Sequence, residues 1–200
     1  MPLLLVPRAN SVPEDIIPAV LTRVERLMAP SMIALLILLW MGGPASAEIL
    51  GPQAAACADS APGAAVLVHV TGFKDRTGNV RVELYPATDA DFLTPGSKLR
   101  ADGKVFTRID VPTPPMDEPT VCLALPGPGD YAVAVLHDRN ADGKLNAFSD
   151  GYGFPNNPRL GYSKPSAKEA TFHAAAGQTQ VDVVLNYWNG FAARPLRPPR

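Results

Sequence analysis

Apolar residues recur at every second position in several short stretches of this chain, a spacing that predicts β-strands rather than helices. Over residues 64–73, Val66, Val68 and Val70 share one side, while Leu67, His69 and Thr71 share the other. Residues 79–85 repeat the pattern, with Val80, Val82 and Leu84 on the apolar side and Arg81 and Glu83 on the polar one. The polar stretch 74–78 between them predicts a hairpin. Further strands are expected over 104–111, 120–125, 130–137, 169–174 and 179–187, with a helical turn near 89–93. Residues 130–137 are apolar on both sides, as a strand covered on both faces would be. Seven short strands with turn residues between them predict an all-β fold, a single two-sheet sandwich. Tyr131, just after the corner Pro126-Gly127-Pro128-Gly129, is placed to return its hydroxyl to upstream backbone and pin a sheet-to-sheet crossing.

Composition strengthens the β reading. Proline accounts for 22 of 200 residues, and each proline inside a helix costs about 3 kcal/mol. With 18 basic and 19 acidic residues the net charge is −1, so the whole-chain balance offers no field for a polyanion and no nucleic-acid partner is expected.

The N-terminal segment has a different character. Met32 to Met41 is an uncharged apolar run, broken by Gly42, Gly43 and Pro44 and followed by Ala45-Ser46-Ala47. That order matches a signal peptide with its cleavage site, predicting export and a mature start at Glu48. The run is short of the roughly 20 apolar residues a spanning helix needs, and an uncleaved membrane anchor is the alternative. Met28 opens a signal of ordinary length, so Met1 and Met28 both stand as translation starts. The expected organisation is therefore residues 1–47 as extension and signal, 48–63 as a flexible leader, 64–188 as the sandwich and 189–200 as a disordered tail.

Cys57 and Cys122 are the two cysteines. In an oxidising compartment a lone pair is most simply a disulfide. The competing reading, a lipid-modified Cys57, lacks the leucine expected before such a cysteine. No Cys-x-x-Cys spacing points to redox or zinc chemistry.

The stretch with most chemistry starts at His137-Asp138 and runs to Asp150. Asp138, Asn140 and Asp142 at alternate positions, followed by Gly143, form the front half of a calcium loop, in which the Lys144 carbonyl would be the next ligand. Ser149 stands where such a loop has its bidentate glutamate, leaving Asn146 and Asp150 as substitute ligands. Calcium is thus the one candidate cofactor, set against a metal-free loop of Asx turns.

Three blocks carry a family resemblance. They are Gly78-Asn-Val-Arg-Val-Glu-Leu-Tyr85, Leu125-Pro-Gly-Pro-Gly-Asp-Tyr-Ala-Val-Ala-Val-Leu-His-Asp-Arg-Asn140 and Gly151-Tyr-Gly-Phe-Pro-Asn-Asn-Pro158, with Pro165-Ser166 after them. In order and spacing they resemble the bacterial DUF2141 family over about residues 64–187. The resemblance implies an exported protein with an immunoglobulin- or transthyretin-like sandwich and a cysteine pair placed like Cys57 and Cys122. It implies no reaction. The chain departs from the pattern between Asn146 and Tyr152, where it is several residues short and lacks an acidic position, and at Pro155, where a serine is usual.

The functional expectation is a noncatalytic module, possessing no enzyme motif, that binds an envelope protein, peptide or glycan through the 137–165 loop. The contact candidates are His137, Tyr152, Phe154, Asn156 and Asn157, with Phe148 and Tyr162 as further loop aromatics. Such a module would work outside the cytoplasm and meet the membrane only through an uncleaved signal segment. The alternative is a small hydrolase using His137 and Asp138, but Gly-x-Ser-x-Gly and His-Glu-x-x-His are both missing from the chain.

Overall fold

Alternation decides which side of each strand is buried, and here it builds two facing sheets. A computed structural model describes residues 48–196; residues 1–47, where the signal segment is expected, and residues 197–200 lie outside the described residues. The described residues form eleven strands: β1 Ile49–Leu50, β2 Ala65–Thr71, β3 Asn79–Pro86, β4 Thr107–Pro112, β5 Thr120–Ala124, β6 Gly129–Asp138, β7 Gly151–Gly153, β8 Thr171–Ala174, β9 Gln178–Val184, β10 Asn186–Trp188 and β11 Ala193–Pro195. One helix, α1 Gly96–Ala101, lies in the 86–106 connection. The smaller sheet runs β1-β5-β2-β9, and the larger runs β11-β10-β7-β6-β3-β4 with β8 also on β6. This is an all-β sandwich.

The main core lies between the sheets. Val66, Val68 and Val70 of β2, Val80, Val82 and Leu84 of β3, and Val133 and Val135 of β6 meet there. At roughly 25 cal/mol per Å² of apolar surface buried, such side chains each contribute about 1.5–3 kcal/mol. A second core lies on the outer face of the larger sheet. Ala132 and Ala134 of β6 pack there with Tyr85, Phe92, Leu99 and Phe154, under the 86–106 and 154–170 connections. β6 is thus covered on both sides, as its two apolar faces require. The Tyr131 hydroxyl donates to the Gly127 carbonyl at 3.0 Å, pinning the corner that leads into β6.

Four local expectations are corrected. The strands at 64–73 and 79–85 do not form a hairpin: β2 pairs with β5 and β9, whereas β3 pairs with β4 and β6. Both apolar faces must be buried, and facing each other across the sandwich buries both at once, so residues 72–78 step from one sheet to the other. The 48–63 leader carries β1, parallel to β5, and a 3-10 turn at Ala54–Cys57. Cys57 and Cys122 are bonded, and that link fastens the leader to the outer face of the smaller sheet against Ala65 and Leu67. The tail after Asn189 is not without structure either, because β11 pairs antiparallel with β10. The final long strand, expected as one piece over 179–187, divides at Leu185 into β9 in one sheet and β10 in the other.

Candidate functional site

His137 sits on β6 and its side chain points into the sandwich with no exposed surface. The Lys74 N–H donates to the Tyr187 hydroxyl oxygen at 3.0 Å. The hydroxyl proton is then free to go to His137 Nδ1, 2.7 Å away. That leaves Nε2 as the protonated nitrogen, donating to the Thr77 carbonyl at 2.8 Å. The ring is a neutral clamp between the 72–78 crossing and β10, and as folded it offers no nitrogen to a substrate or partner. Asp138 is equally occupied: its carboxylate accepts the N–H groups of Asp142 and Gly143 at 3.2 and 2.8 Å. General acid–base work needs a group within reach of the reacting proton, and both side chains are buried and already hydrogen-bonded.

Burial holds His137 below the ordinary imidazole pKa and pushes Tyr187 up to about 12. The sign for stability follows. The unfolded chain takes up a proton near 6.5, while the folded chain resists it until lower pH. This contribution is whole above 6.5 and is lost as pH falls from there towards the depressed value. Melting followed between about pH 7.5 and 5 should show the wild type losing stability in that window and His137→Gln losing less. Equal slopes would remove His137 as the cause.

The 138–150 loop is organised by its own hydrogen bonds. Asp142 accepts Lys144 N–H at 2.8 Å and the side-chain amides of Asn140 and Asn146 at 2.9 and 3.0 Å. Asp150 is fully buried and accepts Arg139 and Asn146 N–H at 3.3 and 2.8 Å. Two guanidinium groups complete the arrangement: Arg81 donates to the Gly143 carbonyl and Arg139 to the Ser149 carbonyl, both at 2.9 Å. Arg139 is itself held by Asp75, and the pairing keeps the Asp75 carboxyl far below the usual carboxylate range. Oxygens that would face a calcium ion thus face N–H donors. Among the described residues no three His, Cys, Asp or Glu side chains gather as a metal site. As folded, the Asp138, Asp142 and Asp150 carboxylates are each hydrogen-bonded within the loop.

Other loop candidates divide between interior and surface. Phe154 is buried in the second core, against Phe92. Asn156 and Asn157 adopt positive φ, 63° and 42°, a backbone asparagine tolerates better than most residues. Asn156 caps the Glu169 and Thr171 carbonyls, and Asn157 accepts the side-chain amide of buried Asn186. Both asparagines shape the loop. Tyr152 is half-buried on the outer face of the larger sheet, in one row with Asn186, Leu136, Arg81 and Asp110 on its neighbours. That face holds a cleft of about 350 Å³, whose charged groups already answer each other: Arg81 pairs with Asp110, Arg108 with Glu83, and the Tyr85 hydroxyl donates to Glu83.

Beyond the cleft the surface changes character. Phe148 and Tyr162, 78% and 86% exposed, stand 5.6 and 5.0 Å from Trp188 between ring centroids. Trp188 ends β10, and Phe191 at 86% exposure lies in the turn that follows. The turn is local in origin: Gly190 takes φ +99°, and the Asn189 side chain accepts Phe191 and Ala192 N–H. Trp188 and Phe191 were not among the sequence candidates. The signal available for them was Asn189-Gly190 directly after a strand, a hairpin dipeptide.

A family model described as "Uncharacterized protein conserved in bacteria (DUF2141)" matches residues 68–182. No curated protein and no solved structure matches the chain.

Proposed function

Since the chain belongs to the DUF2141 family, which carries no assigned activity, its role has to be read from its own surface, and we propose that it is an exported, noncatalytic binding module. The observation that carries this reading is the aromatic cluster of Phe148, Tyr162 and Trp188. Soluble domains seldom leave large rings grouped in water, and such patches mark interaction sites. The rings stand on connections at the edge of a rigid sheet, where recognition is usually found. Two further features support the reading. The Cys57–Cys122 bond suits an oxidising compartment, as does the expected signal at 1–47, and the burial of His137 and Asp138 favours a structural role for that pair. The contact surface is then the outer part of the 137–165 loop together with the β10–β11 turn.

Co-sedimentation with the envelope fraction of the producing cells tests the proposal. The wild type is expected to pellet with that fraction, and Phe148→Ser/Tyr162→Ser to bind about tenfold more weakly or worse, with unchanged melting because both side chains are exposed. Equal binding by the two proteins would overturn it.

A further inference from the structure

Charge is unevenly placed around the aromatic cluster. Among the described residues, segments 158–168 and 189–196 carry Arg159, Lys164, Lys168 and Arg194 and no acidic residue. Everywhere else among the described residues, nine Lys and Arg face sixteen Asp and Glu. A near-neutral chain thus carries a basic stretch in two parts, of which Lys164 turns to the Asp89 and Phe92 carbonyls. The fold joins its two parts: Leu160 bridges Ala193 of β11, and Arg159 and Arg194 line one cavity of about 470 Å³ between them. Among the described residues neither arginine pairs with a carboxylate. Tyr162 belongs to the first segment and Phe191 to the second, so exposed rings and cations share this edge of the larger sheet.

Resting on the binding-module reading, we infer that this edge docks on an anionic phospholipid bilayer. The ring geometry separates a bilayer from a glycan. Phe148 and Tyr162 meet Trp188 at interplanar angles of 89° and 66°, so neither extends the Trp188 ring into a flat platform for a sugar face. Tyr162 and Phe191 instead project into solvent from loop positions, suited to entering the interfacial layer where aromatic side chains settle. Arginines beside them would meet lipid phosphates, each contributing attraction that falls off within a Debye length of the surface. Neither signal holds a protein firmly alone, and the two together do.

The test uses the purified exported protein and phosphatidylcholine vesicles with and without phosphatidylglycerol. Binding is expected only with the anionic lipid, with Trp188 emission shifting to the blue and with release in high salt. Phe191→Ser and Arg194→Glu should each weaken it about tenfold; neither side chain belongs to a core, so melting serves as the folding control. Binding that ignores lipid charge, no binding, or wild-type affinity in both variants would each overturn the inference. If vesicles fail while envelope capture still depends on Phe148 and Tyr162, the lipid inference falls and the binding module stands. If envelope capture also ignores those rings, both fall.

Discussion

Gly78→Ala is expected to cost more than 4 kcal/mol, the range in which single substitutions are rare and point to one defect. Gly78 ends the crossing from β2 to β3 with φ +71°, and a Cβ there would lie 2.0 Å from the Asp138 carbonyl oxygen and 2.8 Å from Arg139 backbone atoms. These are backbone atoms of β6 and the start of the 138–150 loop, so no side chain can rotate away. Relief would have to come from parting β3 and β6, the neighbours that run side by side from Asn79–Asp138 to Pro86–Tyr131. Gly103→Ala supplies the control. It shares the left-handed backbone, with φ +67°, but nothing lies within 4 Å of its added Cβ. It should lose only the conformational term, about 1 kcal/mol. Urea unfolding of both variants measures the difference, and similar midpoints would refute the clash.

Cys57→Ala should lower stability by about 4 kcal/mol, and reduction of the wild type should do nearly the same. The bond closes a separation of 65 residues, and the chain-entropy relation gives about 4 kcal/mol for a loop of that size. Both sulfurs are buried, with Ala65 beside them and Ile49, Ala56 and Leu67 packed around, so cutting the bond also loosens the leader from the smaller sheet. β1 holds to β5 through only two residue pairs. It should therefore detach once the link is gone, and amide exchange at Ile49 and Leu50 should rise before that of β2 or β5. Unchanged exchange there, with a shift under 1 kcal/mol, would show the leader held by packing alone.

Fold class was legible because alternation is a local property. Val66 to Val70 and Val80 to Leu84 each show which side is buried without reference to any partner, and the two-sided apolarity of residues 130–137 showed that both faces of that strand would be covered. Strand pairing was not legible. The run that looked like a hairpin is a crossing between sheets, since an apolar face records that something covers it but not whether its neighbour in sequence lies beside it or opposite. The Asp138–Asp150 loop gave the same ambiguity at smaller scale. Aspartates and asparagines at alternate positions suit an ion and suit Asx turns equally well, and only the structure shows that the N–H groups of Asp142, Gly143, Lys144 and Asn146 turn to the carboxylates. His137 looked like a contact residue because a strand histidine before a polar loop can face either way; register with Val133 and Val135 turned it inward.

What the amino-acid order determined unaided was the β character, the buried side of each long strand, the cysteine pair and the corner held by Tyr131. All of these depend on neighbours a few residues apart or on a count of two. Tertiary structure alone decided that Phe148, Tyr162 and Trp188 would meet, and that Arg159 and Arg194 would face one cavity. Those residues lie on separate connections, and their distances are fixed by how β7, β10 and β11 stack along the edge of one sheet, a non-local outcome of burying two cores at once.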